Sequence, residues 1–186
     1  MKSLTNIPSR VAALSAFAAS TAMVVAGTIA LTHEQSSQTT IQGTLEHIHI
    51  GMFTATQLFL IAPILYLAGR AGKEKWGIAA AVAGVILSGL TISSNINGED
   101  ASFFFAVAGP TNLTIFASLI AIGIGLYKKG LVEKWLAIAM PATYFVFLPG
   151  HDIGGPFLTA ACWLTIGWMI ANDALEARRP GRVAIA

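Results

Sequence analysis

Long apolar stretches run along the chain, and short polar segments separate them. Six stretches of roughly 16 to 27 residues contain no Lys or Arg, and about 20 apolar residues in an α-helix cross the ~30 Å hydrocarbon core of a bilayer. The pattern predicts an all-α fold, a polytopic bundle of about six transmembrane helices that forms one domain over 1–186. The predicted spans are 11–32, 50–69, 76–96, 101–127, 135–150 and 156–175, with kinks at Pro63, Pro110 and Pro141.

Composition supports the same class. Hydrophobic residues make up 55% of the chain and charged residues 11%, whereas an ordinary soluble domain is about 25% charged. This balance excludes a soluble enzyme and a nucleic-acid-binding protein, and it predicts the lipid bilayer as the main partner. The single cysteine, Cys162, cannot form a disulfide within the chain.

Charge placement predicts the orientation of the bundle. All 11 Lys and Arg residues precede the first span, follow the second or fourth, or follow the sixth. Because cytoplasmic loops of membrane proteins are enriched in Lys and Arg, both termini are expected in the cytoplasm and the protein in the cell inner (plasma) membrane. The opposite, outer end carries these acidic and histidine residues: His33, Glu34, Glu46, His47, His49, Glu99, Asp100, His151 and Asp152.

The turn between the last two spans is expected to lie below the outer surface. Only 16 residues separate Trp135 from His151, and at ~1.5 Å per residue they cover ~24 Å of the ~30 Å core. Non-helical backbone at that depth is tolerated where it is buried in protein or lines a wet cavity. His151 and Asp152 are therefore candidate site residues.

A second polar feature is a stripe on the second span. Glu46, His49, Phe53 and Gln57 follow one another at i, i+3, i+7 and i+11, which places them within about a third of the helix circumference. His47 lies about 200° from His49 and does not share this face. Gln57 is expected ~20 Å from the inner boundary, where an amide needs partners.

Together these positions predict an outward-opening polar pocket with Gln57 as its floor. Its walls would be Glu46, His49, Asn95, Asn112, His151 and Asp152. The alternative is that these residues form only the wet outer rim that helix ends naturally present.

Acid/base chemistry is the function that such a pocket would serve best. Burial moves carboxyl pKa values toward neutrality, which suits proton transfer. Glu46 and Asp152 are predicted as the acid and base pair, tuned by His49 or His151. The expected substrate is a lipophilic, isoprenoid-like small molecule, transformed by an isomerase or cyclase reaction. Substrate contacts are predicted at Phe53, Gln57, Asn95, Asn112 and Tyr144. Other aromatic candidates for the lining are Phe103, Phe104, Phe105, Phe145, Phe147 and Trp163.

No metal and no cofactor are predicted. The histidines of Glu46-His47-Ile48-His49 stand at i and i+2 and diverge on a helix, whereas helical zinc sites use i and i+4. Two alternatives remain open. The bundle could be a non-catalytic protein that binds a metal, a ligand or a haem through His49 and His151, or it could be an accessory subunit of a membrane complex. A homo-oligomer also stays open.

The chain resembles small multipass proteins of high-GC Gram-positive bacteria over roughly 40–180. The resemblance rests on Glu46-His47 at the second span, on the motif from Pro63 through Tyr66 to Arg70, and on the Gly154-Gly155-Pro156 sequence before the last span. It implies no particular activity. The placement of Glu46 and Asp152 is also similar to the buried acids of small integral-membrane terpene cyclases. That second resemblance implies an acid that protonates a polyene.

Overall fold

Six α-helices account for most of the described chain. The computed structural model describes residues 6–33, 40–147 and 154–175. In these ranges the helices are α1 (Ser9–Thr32), α2 (Gly43–Ala71), α3 (Glu74–Asn97), α4 (Phe104–Lys128), α5 (Lys134–Phe147) and α6 (Gly155–Ala171). The extended backbone in these ranges includes one isolated antiparallel bridge, between Thr40 and Glu99.

Helix lengths match those of a membrane protein. Within the described residues, the first four helices are each long and apolar enough to cross a bilayer. Helix α6 is also apolar but has 17 residues, and α5 is described over 14 residues. The predicted all-α bundle of membrane helices is therefore confirmed at the level of these four candidate spans.

Helix α2 begins earlier than the hydrophobic pattern predicts. The predicted span starts at residue 50, whereas the helix starts at Gly43 and includes Glu46, His47 and His49. The carboxylate of Glu46 accepts a hydrogen bond from the backbone N–H of Gln42, the N-cap residue. This contact satisfies an N–H at the helix entrance. A carboxylate at this position also interacts favourably with the positive end of the helix dipole. The site residues are therefore held on a rigid helix rather than on a loop.

The helices pack in chain order, and the last returns to the first. Helix α1 lies between α2 and α6, while α2 contacts α1, α3 and α4. Gly27 of α1 approaches Pro156 at the start of α6, and Gly167 near its end approaches Phe17. Helices α1 and α6 are therefore antiparallel, and α2 and α4 each pack against three other helices.

Backbone contacts tie the ends of α2 to neighbouring helices. At the outer end, the N–H of Ile41 donates to the carbonyl of Gly98 at 2.7 Å, and Gly98 caps α3 with a φ of 73°. At the inner end, Lys129 Nζ donates to the carbonyl of Arg70 at 2.8 Å. These contacts fix α2 against α3 at one end and against α4 at the other.

Small residues allow the helices to approach closely. Ala12, Ala19 and Ala26 recur every seven residues on α1 and are almost fully buried. At the contact of α4 with α5, a Cβ added to Gly123 would lie 2.6 Å from the carbonyl oxygen of Ala137. Such small-residue surfaces are typical of packed membrane helices, because dispersion contacts and short interhelical distances stabilise them.

We expect Gly123→Ala to destabilise the bundle by about 1 to 3 kcal/mol, because its methyl group would overlap backbone that cannot rotate away. Gly89→Ala is the matched control, since nothing lies within 4 Å of a Cβ added to Gly89 in α3. Thermal unfolding of both variants in the same detergent measures the difference. A Gly123→Ala protein that is as stable as Gly89→Ala would contradict the close contact.

Candidate functional site

Glu46 lies buried where the end of α1 meets the start of α2. Only 6% of the residue is exposed, and its Oε1 lies 3.8 Å from Nε2 of His33, the residue that follows α1. Its other carboxylate oxygen accepts from the backbone N–H of Gln42. Glu46 thus contacts the ends of two helices through a carboxyl group that is almost completely removed from solvent.

His49 lies one turn further along α2 and is equally buried. Its Nδ1 is 3.1 Å from the backbone carbonyl oxygen of Ala26 in α1. A carbonyl can only accept, so Nδ1 carries a proton and donates it. In the neutral imidazole, Nε2 is then the basic nitrogen. A buried carboxyl group and a buried imidazole therefore lie one turn apart at this end of α2.

His47 faces α3, whereas His49 faces α1. Its Nδ1 lies 2.8 Å from Oδ1 of Asn95 near the end of α3, and because an amide oxygen only accepts, the imidazole donates. His47 and His49 therefore bind to α3 and α1, respectively. Asn95, which was predicted as a substrate contact, is half-buried and is held by His47 rather than by the residues of the stripe.

Further hydrogen bonds cross from α2 to α3 deeper in the bundle. Thr54 Oγ1 donates to Thr91 Oγ1 at 2.8 Å, and Ser88 Oγ donates to Oε1 of Gln57 at 3.3 Å. All four of these residues are buried. We refer to these four residues together with His47 and Asn95 as the α2–α3 polar seam. The seam holds the side-chain amide of Gln57 toward α3.

The predicted stripe spans two faces of α2. At 100° per residue, Phe53, Glu46 and Gln57 lie about 40°, 60° and 80° from His49. His49 contacts α1 and Gln57 contacts α3, while Glu46 and Phe53 fall between them in helical phase. The stripe thus lies along the side of α2 that is between α1 and α3. His49, at one edge of the stripe, contacts α1, and Gln57, at the other edge, contacts α3.

Asn112 and Tyr144, two further predicted substrate contacts, bond to each other. The hydroxyl of Tyr144 in α5 donates to Oδ1 of Asn112 in α4 at 2.7 Å, and the Asn112 amide donates to the carbonyl of Ala108 at 2.9 Å. Tyr144 is buried and Asn112 half-buried. The pair fixes the contact of α4 with α5. The sequence pattern did not predict that these two residues would bond to each other.

The predicted aromatic lining separates into buried and exposed residues. Trp163 in α6 is completely buried and is the largest such side chain in the described core. Phe104 is half-buried. Phe103, Phe105 and Phe145 are each more than half exposed, as expected for side chains that contact lipid. The side chain of Phe147 and the residues His151 and Asp152 lie outside the described part of the chain.

Four buried polar atoms have no hydrogen-bond partner within the described residues: Thr56 Oγ1, Gln57 Nε2, Ser118 Oγ and Trp163 Nε1. Thr56 and Ser118 were not among the predicted site residues, and Trp163 was considered only as an apolar lining residue. The available signal was their position near the middle of apolar spans, where a polar group needs a partner inside the protein.

Two further observations bear on chemistry. The described residues contain no group of three or more His, Cys, Asp and Glu side chains arranged to hold a metal ion.

A cavity of about 410 Å³ is lined by Gly72, Lys73, Glu74, Lys75 and Trp76. It lies at the opposite end of α2 from Glu46 and carries none of the predicted site residues.

No family model, no curated protein and no solved structure matches this sequence.

We expect Tyr144→Phe to lower the stability of the bundle by about 0.5 to 1.5 kcal/mol, because it removes the hydroxyl that bonds to Asn112 and leaves a half-buried amide oxygen unpaired. Tyr127→Phe is the matched control, since Tyr127 is about half exposed on the same α4 that carries Asn112. Thermal unfolding in detergent compares the two, and equal losses would argue against a structural role for the pair.

Proposed function

We propose that the protein is a membrane-embedded acid/base enzyme of the isomerase or cyclase type that acts on a lipophilic, isoprenoid-like substrate. The observation that carries this proposal is the placement of Glu46 and His49. A carboxyl group and an imidazole lie one turn apart on α2, and each residue is 6% exposed. Buried ionisable groups in membrane helices are costly and usually mark functional sites.

The proposed reaction has two proton transfers. The carboxylic acid of Glu46 donates a proton to a carbon–carbon double bond, and the electron pair of that bond forms the new C–H bond and leaves a carbocation. Loss of a proton from a neighbouring carbon to a base then restores a double bond. Asp152, with His151 beside it, is the proposed base, and His49 is proposed to set the orientation of the site.

The remaining predicted contacts would bind and orient this substrate. Phe53 shares the side of α2 that carries Glu46, and Tyr144 presents a buried aromatic ring from α5. The face of an aromatic ring attracts a cation, which would favour the carbocation formed after protonation. Gln57, Asn95 and Asn112 would contact polar parts of the substrate.

The proposed topology places this site near the outer surface of the plasma membrane. It comprises six spans with both termini in the cytoplasm. Its support is that the Lys and Arg of the described residues lie at one end of the bundle, at Arg10, Arg70, Lys73, Lys75, Lys128, Lys129 and Lys134, and that the other four precede the first span or follow the sixth in the sequence. In this orientation Glu46 and His49 lie at the outer end of α2, and Arg70 lies at its inner end.

A second candidate is a non-catalytic bundle that binds a ligand or serves as an accessory subunit, alone or as a homo-oligomer. The observation that favours it is the bonding of Glu46 and His49. The carboxylate accepts from the N-cap of α2 and the imidazole donates to a carbonyl of α1, and both contacts would also be expected of purely structural residues.

Cysteine labelling tests the topology. In a Cys162→Ala background, we expect Glu99→Cys to react with a membrane-impermeant maleimide in intact cells, because Glu99 lies between α3 and α4 at the outer end. Lys129→Cys, on the opposite end, should react only after the membrane is permeabilised. Labelling of both positions from the same side would contradict the six-span orientation.

Replacement of the acid by its amide tests the chemistry. Glu46→Gln keeps an oxygen that can accept from Gln42 but removes the donated proton, so we expect turnover to fall by about 10²- to 10⁴-fold with little change in thermal stability. Because the substrate is unknown, the measurement is the lipid composition of membranes that express the wild type or the variant, determined by mass spectrometry. Asp152→Asn should deplete the same product.

The exposed carboxyl of Glu99 supplies the control for this experiment, and Glu99→Gln should leave the lipid profile unchanged. A product that persists in both Glu46→Gln and Asp152→Asn would remove the enzyme proposal and favour the non-catalytic bundle.

A further inference from the structure

The cavity at the turn between α2 and α3 is lined by lysines as well as by an aromatic ring. Its volume is about 410 Å³, and its walls are the five consecutive residues from Gly72 to Trp76. This volume is within the ~300 to 1,000 Å³ range of small-molecule sites. The proposed acid/base chemistry does not use this cavity, because Glu46 lies at the other end of α2.

Glycine at position 72 shapes the wall of the cavity. Gly72 caps α2 with a φ of 69°, a left-handed conformation that residues with a side chain rarely adopt. A Cβ added there would also lie 3.2 Å from Nζ of Lys129, the residue that caps the end of α4. The glycine therefore allows the ammonium group of Lys129 to lie against the wall of the cavity.

Contacts between α4 and the turn hold two of the lysines in place. Lys129 Nζ donates to the carbonyl of Arg70 at 2.8 Å, and an ammonium group has further N–H donors available beyond this one. The half-buried Lys73 packs against α4, where a Cβ added to Gly125 would lie 3.1 Å from Cγ of Lys73. Lysines from the α2–α3 turn and from the end of α4 therefore meet at this cavity.

The charges around the cavity are mainly positive. Lys73, Lys75 and Lys129 are opposed by one carboxylate, that of Glu74. Glu74 lies in the first turn of α3, where a carboxylate balances the positive end of the helix dipole. Within the described residues, none of the three lysines forms a salt bridge with a carboxylate. An anion can therefore bind here without displacing an existing ion pair.

Aromatic residues place the cavity at the level of the membrane interface. Trp76 belongs to its wall and is exposed. Tyr127 near the end of α4 and Trp135 near the start of α5 are also exposed at this end of the bundle. Trp and Tyr are enriched where membrane proteins meet the lipid headgroups. The cavity therefore lies at the depth of phospholipid headgroups.

An exposed apolar face of α3 continues from the cavity. Ile78, Val82 and Val85 follow Lys75 at i+3, i+7 and i+10, which places all four within about 80° of the helix circumference. The three apolar side chains are exposed. A positive cavity with an apolar face next to it matches a ligand that has an anionic group at one end and hydrocarbon chains at the other.

We propose that this cavity binds the phosphate group of an anionic phospholipid, with Lys73, Lys75 and Lys129 around the phosphate and the acyl chains along α3. Hydrogen bonds from ammonium groups to phosphate are about twice as strong as neutral ones, and basic pockets between membrane helices suit such headgroups. A zwitterionic headgroup carries its own ammonium group, which the lysines repel, so the site selects a headgroup with net negative charge. This lipid site is additional to the proposed acid/base site.

A matched pair of lipids tests the proposal on the full chain in detergent. The probes are dioleoyl phosphatidylglycerol and dioleoyl phosphatidylcholine, which have the same acyl chains and differ in headgroup charge. Native mass spectrometry of the protein with increasing amounts of each lipid measures the two dissociation constants. We expect phosphatidylglycerol to bind about tenfold or more tightly than phosphatidylcholine.

Two variants each remove one charge from the cavity. Lys73→Gln and Lys75→Gln should each weaken the binding of phosphatidylglycerol by about fivefold and leave that of phosphatidylcholine unchanged. Lys134→Gln is the matched control, because Lys134 is exposed at the same end of the bundle but does not line the cavity, and it should bind like the wild type. Lys75 is also exposed, so Lys75→Gln should keep the thermal stability of the wild type.

Equal binding of the two lipids would overturn the proposal. Equal losses in Lys75→Gln and Lys134→Gln would also overturn it, because they would show attraction by the charged surface rather than by the cavity. Glycerol 3-phosphate, which has the phosphate without acyl chains, should not displace phosphatidylglycerol, and displacement would identify a soluble phosphate compound as the ligand instead. The outcome is separable from that of the proposed function, because binding is measured without turnover and Glu46 lies at the other end of α2.

Discussion

Polar groups that enter hydrocarbon must find their partners inside the protein, and this constraint organises the bundle. Water is absent from the bilayer core, so an unpaired donor or acceptor costs several kcal/mol. Hydroxyl groups meet the constraint locally, by bonding to the carbonyl of the preceding turn as Thr111 does. Larger polar side chains also bond across helix contacts, as in the pairs His47 with Asn95 and Tyr144 with Asn112. Polar contacts of this kind therefore join α2 to α3 and α4 to α5.

Helix α2, which carries the candidate site residues Glu46, His49 and Gln57, packs against three other helices. It contacts α1, α3 and α4, and its polar residues are divided among them by helical phase. His49 bonds to α1 and Gln57 to α3, and the sector between them faces the interior. Rigid ends support this arrangement, since the bond of Ile41 to Gly98 fixes the outer end of α2. A side chain on such a helix is positioned more precisely than one on a loop, which is a requirement for both acid/base chemistry and selective binding.

The sequence predicted the fold class well and the site only in its outline. Long apolar stretches are strong signals, and so six helices and a polar stripe on the second span could be predicted. The apolar span was predicted to start only at residue 50, because Glu46, His47 and His49 are polar and reduce the apolar signal, although the predicted stripe already treated these residues as helical, as they are in α2. Partner choice could not be predicted either. It depends on interhelical register, which is set by close approaches such as Gly123 to Ala137, and a single sequence does not contain that register.

Under the proposed function, Glu46 combines a structural and a chemical role. As a carboxylate it accepts from the N-cap of α2 and lies 3.8 Å from the imidazole of His33. As a neutral acid it still has a carbonyl oxygen that accepts from Gln42, while its O–H becomes available to a substrate. The helix entrance thus stays bonded in both protonation states, and loss of the proton does not require the helix to move. His33 is partly exposed at the outer end, and under the proposed function a water molecule that bridges the imidazole and the carboxyl group would return the proton to Glu46. The contact that defines the start of α2 is therefore compatible with a repeated cycle of proton donation and recovery.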